Sequence, residues 1–212
     1  MNKNYYQTIS HFIQVKKTIK KSRFFASVKE VENEEATRAF LREIKEKFSD
    51  ASHHCWAYRI GKNTGKINHY SDAGEPANSA GPPIIQAIEQ QGLTNVMVIV
   101  TRYFGGTKLG IGGLIRAYRE TALQGLQKAG RVKKFALREF ILREINYQEL
   151  GQIIRAIESK EGRIADISYG EKITVITYLP EEMQEWITDM VKNASHGRAT
   201  IQAGNLSWGQ RL

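Results

Sequence analysis
The apolar positions change period along the chain, and each change marks an element. Val96-Met97-Val98-Ile99-Val100 is an unbroken apolar run rich in β-branched residues, which predicts a strand buried on both faces. Leu114, Ile115, Tyr118, Ala122 and Leu126 then recur at helical spacing, predicting a helix that ends near Lys128. Upstream, Ile13, Val15 and Ile19 suggest a strand, and residues 22–28 a second one. Asn33 is placed to cap a helix whose stripe is Ala36, Phe40, Ile44 and Phe48. His53–Ile60 reads as a strand, 61–66 as a turn, 67–70 as a short strand and 84–91 as a helix behind Pro82-Pro83. After Gly130 and the basic run Arg131, Lys133 and Lys134 the pattern changes. A strand at 137–145, a helix at 147–160, a hairpin of 163–169 with 172–179, a helix at 180–194 and a strand at 199–208 give the order βαββαβ of a ferredoxin-like domain. The boundary divides the chain into domains 1–134 and 135–212.

Between the central strand and its helix lies a loop with five glycines: Gly105, Gly106, Gly110, Gly112 and Gly113. It lacks the Lys-Ser/Thr pair of a Walker loop, because Ile111-Gly112 stands there. It lacks the third glycine of a dinucleotide fingerprint, because Ile115 stands there. Glycines let backbone N–H groups approach a ligand, and a helix start adds partial positive charge. With Arg102, Lys108, Arg116 and Arg119 nearby, the loop reads as a seat for phosphate. The competing reading is that the glycines only permit a tight turn and close helix–sheet packing.

A second loop, 71–83, has three prolines to fix its shape, and Asp72 and Glu75 are its only acids. With His54 they form a candidate polar cluster for metal binding or acid–base work. Singly, the two acids would cap turns or the next helix. Strand alternation puts His53 and Cys55 on one face and His54, Trp56 and Tyr58 on the other. That argues against a zinc site built from His53, His54 and Cys55 alone, and a histidine satisfied by hydrogen bonds is the simpler reading of His54.

The 212-residue chain carries 31 Lys and Arg against 22 Asp and Glu, a net charge of +9. Residues 1–134 hold 22 cations and 11 acids, a net +11, whereas residues 135–212 hold 9 and 11, a net −2. So uneven a distribution suggests a polyanion, most simply RNA, as partner of the first domain. A single cysteine, Cys55, excludes an intramolecular disulfide and fits a reducing compartment. Neither a signal peptide nor a membrane span is visible, so the expected location is cytoplasmic.

Three stretches together resemble the YigZ/IMPACT family: the segment from Ala51 to Gly61, the loop from Ser71 to Gly81, and Arg102-Tyr103-Phe104-Gly105-Gly106-x-x-Leu109-Gly110-x-Gly112-Gly113-Leu114. The likeness spans nearly the whole chain in the family's bacterial two-domain layout. It implies an α+β protein. The first domain would be α/β with a left-handed βαβ crossover, like domain four of elongation factor G and the GHMP kinases. The second would be ferredoxin-like, like domain five of elongation factor G. It also implies a role in regulating translation. Eukaryotic IMPACT members compete for a protein partner of a stress-responsive kinase. The family's second loop usually reads Ser-Asp-Asp-Gly-Glu-Pro followed by Ser-Gly-Thr; here Ala73 replaces the second Asp and Ala77-Asn78-Ser79 the last three.

Two functions follow. In the first, the protein is a non-catalytic regulator of translation that binds RNA or the ribosome through its basic first domain, with no cofactor, metal or membrane. Arg102, Lys108, Arg116, Arg119 and the loop glycines would supply the phosphate contacts, and a protein partner is expected by analogy with IMPACT. In the second, it is an enzyme acting on a phosphorylated small molecule or nucleotide seated at the glycine loop, with His54, Asp72 and Glu75 as base or metal ligands.

Overall fold
The computed structural model describes residues 5–62 and 65–209, so the predicted 61–66 turn falls partly outside the described residues. The fold mixes helices and sheets and divides into two compact units, 1–133 and 134–212. Among the described residues no helix is long and apolar enough to cross a membrane.

In the first unit, strands β1 (Tyr5–Thr8), β2 (Ile13–Ile19) and β3 (Ser22–Glu30) lead into helix α1 (Glu34–Lys47). Strands β4 (His53–Ile60) and β5 (Ile67–Ser71), helix α2 (Gly81–Gln90), strand β6 (Val96–Tyr103) and helix α3 (Ile111–Lys128) follow. The sheet order is β2-β3-β6-β4-β5, with every neighbouring pair antiparallel. Strands β3 and β4 both oppose β6, so they run parallel, and α1 crosses between them.

The two sides of β6 explain its continuous apolar run. Val96, Val98 and Val100 join the core under α2 and α3, with Ile84, Leu114 and Tyr118. Met97 and Ile99 join the core under α1, with Phe40, Ile44 and Tyr58. Each large side chain so buried contributes roughly 1.5–3 kcal/mol. The strand is buried on both faces because helices cover both, although its neighbours are antiparallel. In α1, Asn33 Oδ1 accepts from Ala36 N at 2.8 Å. Glu34 and Glu35 in the first turn and Lys45 and Lys47 in the last complement the helix dipole.

In the first unit three elements differ from the sequence expectation. Strand β1 has only four residues, too few to show a period; Thr94 N donates to Gln7 O at 2.9 Å and Thr8 Oγ1 to Asn95 O at 3.2 Å. Helix α2 starts three residues early because Pro82 and Pro83 occupy its first turn, where a missing N–H costs nothing. Helix α3 starts at Ile111, so Gly112 and Gly113 are helical and the loop keeps only three of the five glycines.

In the second unit, β7 (Val132–Ile145), α4 (Tyr147–Glu158), β8 (Arg163–Ser168), β9 (Ile173–Pro180), α5 (Gln184–Ala194) and β10 (Thr200–Gly209) follow in the expected order βαββαβ. A 3-10 turn, Glu181–Met183, takes the start of the predicted 180–194 helix. These strands lie in the order β10-β7-β9-β8, all antiparallel. Ile153, Ile157, Ile187 and Val191 of the two helices pack with Phe140, Leu142 and Val175 of the sheet. Asn146 and Glu149 form the capping box that starts α4.

Candidate functional site
The two informative loops meet at a buried ion pair. Arg102 lies at the end of β6, opposite Phe24 of β3 and His53 of β4. Even numbers on β6 face α2 and α3, so Arg102 turns inward. Its Nη1 donates to Glu75 Oε1 at 2.6 Å and its Nη2 to Ser22 Oγ at 3.3 Å. Tyr118 of α3 donates from its hydroxyl to the same Glu75 Oε1 at 2.8 Å. Burial, first among several causes, holds the Tyr118 phenol far above its ordinary pKa, so it remains a neutral donor. His53 Nδ1 lies 3.0 Å from Ala73 O; a carbonyl only accepts, so Nδ1 carries the proton and Nε2 faces Glu75 Oε1, 3.9 Å away.

Arg102 therefore cannot serve as the phosphate ligand expected from its position beside the glycine loop. Its side chain is 6% exposed and its charge is matched by Glu75, whose side chain is 3% exposed. The expected set of His54, Asp72 and Glu75 is not assembled either. Alternation along β4 sends His54 to the opposite face, where Nδ1 meets Thr101 Oγ1 at 3.1 Å. Burial first, then the Lys45 charge, lowers its pKa. Asp72 caps backbone: Oδ1 accepts from Ala80 N at 2.8 Å and Gly81 N at 2.9 Å, and Oδ2 from Asn78 N at 2.8 Å. It supplies the cap that Ala80, at the N-cap of α2, lacks. His53, not His54, approaches Glu75, and the shared face of His53 and Cys55 was the signal for it. Cys55 donates from Sγ to Asp72 O at 2.9 Å, and burial pushes its thiol up to about 12. Among the described residues, no group of three or more His, Cys, Asp or Glu is placed to hold a metal.

The glycine loop divides into a packed part and an open part. Gly105 is packed: its N–H donates to Ser22 Oγ at 3.2 Å, and a Cβ there would fall 2.1 Å from Lys21 C and O. Its amide is not open to a ligand, contrary to expectation, and the residue is glycine because the β2–β3 turn presses on it. Gly106 is exposed. Gly110 takes φ +72° at the N-cap of α3 and offers no side-chain cap, while Leu114 N returns to Gly110 O at 2.9 Å. Gly112 is exposed and Gly113 sits against Leu109. Lys108 and Arg116 are exposed. Arg119 instead donates to Gln90 Oε1 at 3.0 Å, about 12 Å further along the helix at 1.5 Å per residue.

Two concavities adjoin the open part. One, of about 290 Å³, has apolar walls of Phe104, Leu109, Ile111 and Leu114, with Arg102 and Glu75 among its lining and Lys108 at its edge. The other, of about 180 Å³, is lined by Ile19, Lys20, Leu109, Gly113, Arg116 and Glu120, and Glu120 is held by Lys17 at 2.6 Å. Lys20 and Lys21 form the whole β2–β3 turn, since Ile19 pairs with Ser22. Both take positive φ, 43° and 68°, where Asn-Gly is the favoured pair. That conformation costs a non-glycine residue roughly 1–2 kcal/mol. Among the described residues, none of Lys20, Lys21, Lys108 and Arg116 is in an ion pair. The two turn lysines complete a basic rim that charge counting along the chain did not connect to the glycine loop.

The Impact N-terminal domain family matches residues 20–126, which contain the ion pair, both loops and the basic rim. A domain of unknown function, DUF1949, matches residues 144–198. The IMPACT family member YvyE of Bacillus subtilis (strain 168) is 34% identical over 90% of this chain and 87% of its own. The IMPACT family member YigZ of Escherichia coli (strain K12) is 32% identical over 79% and 82%. A crystal structure described as that of a hypothetical protein superposes with a TM-score of 0.66 at 28% identity, covering 96% of this chain and 98% of the other. On these matches, the chain belongs to the IMPACT family.

Proposed function
We propose that this protein is a translation-associated regulator whose first unit binds RNA, free or within the ribosome. Family membership supports the regulatory role. One observation carries the RNA part: Lys20, Lys108 and Arg116, in no ion pair among the described residues, line two adjoining concavities at the open end of α3, and Lys21 stands beside Lys20 in the β2–β3 turn. Cations without carboxylate partners keep their full charge for phosphate oxygens, and binding them releases condensed counterions. The open first turn of α3 adds partial positive charge at the same place. Arg102 and Gly105 serve this surface indirectly: one anchors the 71–81 loop through Glu75, the other seats the Lys20-Lys21 turn. The same reading takes the first unit as similar to domain four of elongation factor G. It takes the second as ferredoxin-like, similar to domain five.

Co-sedimentation with ribosomes tests the proposal. The wild-type protein is expected in the ribosomal pellet and the Lys108→Ala/Arg116→Ala variant in the supernatant. Wild-type protein in the supernatant contradicts the ribosomal form of the proposal.

A further inference from the structure
We propose that the 290 Å³ pocket between Glu75 and the glycine loop receives one unstacked nucleobase of the bound RNA, and selects bases carrying an exocyclic amino group. The inference rests on the RNA-binding reading above and adds to it the part of the RNA that enters the protein.

The pocket is not a phosphate seat. Glu75 lines it, and the contacts from Arg102, Tyr118 and His53 all fall on Oε1. Oε2 carries none of them. Glu75 matches the Arg102 charge that would otherwise draw a phosphate, and its second oxygen is an acceptor for a hydrogen-bond donor.

The walls suit a flat ring. Phe104 is 50% exposed, and the Arg102 guanidinium lies 5.4 Å from its ring centroid. A half-open aromatic ring backed by a guanidinium is a stacking platform for an unpaired base. Ile111, 61% exposed, borders the same space with Leu109 and Leu114. Lys108 stands at the edge, and Arg116 and Lys20 line the neighbouring concavity, placed for the phosphates of a strand whose base turns inward.

Adenine, cytosine and guanine each present an amino group to Oε2. Uracil presents only a ring N–H between two carbonyls, which the carboxylate opposes. An apolar side chain from a protein partner would fill the walls but seal Oε2 in a covered pocket without a donor, which disfavours that occupant.

Fluorescence anisotropy with short labelled homo-oligomers of rA, rC and rU, on the full chain at one salt concentration, tests the assignment. The rA and rC oligomers are expected to bind about five-fold or more tighter than rU. Phe104→Ala is expected to bring that ratio near one while leaving rU affinity within about two-fold, because phosphate contacts persist. Phe104→Leu, which keeps the wall but not the stacking face, is expected to act the same way. Lys108→Ala/Arg116→Ala is expected to weaken all three oligomers by a common factor. Equal affinities for the three in wild type, or a ratio unmoved by both Phe104 variants, overturn the base pocket. That outcome leaves RNA binding standing. No binding of any oligomer overturns both.

Discussion
Arg102 Nη1 and Glu75 Oε1 are 2.6 Å apart, and the two side chains are 6% and 3% exposed. The pair joins the end of the central strand to the loop that precedes α2, and Tyr118 adds α3 to the same oxygen. Removing one partner of a buried pair strands the other charge, at about 3–5 kcal/mol. Arg102→Ala is therefore expected to lower unfolding stability by about that amount in urea titrations, and Arg102→Met/Glu75→Leu by less than the sum of its single changes. Stability unchanged by Arg102→Ala would mean that this residue is a surface ligand after all.

Glycines only seven positions apart carry opposite predictions. Gly105→Ala forces the backbone of Lys21 away from a Cβ only 2.1 Å from its C and O, so a loss of about 1–3 kcal/mol or more is expected. Gly112→Ala meets nothing within 4 Å in a helical turn, so a gain of about 0.5–1 kcal/mol is expected. Thermal melts of the two variants should move in opposite directions.

The His54 imidazole has its pKa lowered from 6.5 by burial and by Lys45. Below pH 6.5 the unfolded chain takes up this proton before the folded protein does, so stability falls as pH falls. The decline from this group stops once the folded-state imidazole also protonates. Melting temperatures measured downward from neutral pH should therefore drop less for His54→Gln than for wild type. Identical slopes would remove His54 from the account.

Cys55 offers a probe of opening. Buried and raised to about 12, its thiol is almost wholly protonated at pH 8 and shielded by the 71–81 loop. A disulfide reagent at that pH should label it only after unfolding, whereas rapid labelling of native protein would mean that the loop opens readily.

Elements with a long period or strong caps were legible in the sequence. The α1 stripe, the Asn33 cap, the His53–Ile60 alternation and the βαββαβ order of the second unit all appear as read. Four-residue β1 was not, because so short a strand shows no period. The start of α3 was hidden because glycine is a poor signal for a helical turn. In the candidate site, Lys108 and Arg116 stand exposed as expected. Arg102 does not, because its burial depends on which strands flank β6, and pairing order is not written in local pattern. Lys20 and Lys21 join the rim only through a turn pressed onto Gly105, a contact between segments some eighty residues apart.

In the proposed function, the cations at the open end of α3 hold phosphate. Filter binding of a single-stranded RNA across rising salt tests it most directly. Affinity should fall steeply with salt, and Lys108→Ala/Arg116→Ala should make the log–log slope shallower by about 1.4, at about 0.7 per contact. Wild-type affinity that is independent of salt, or a slope untouched by the double change, would contradict the account.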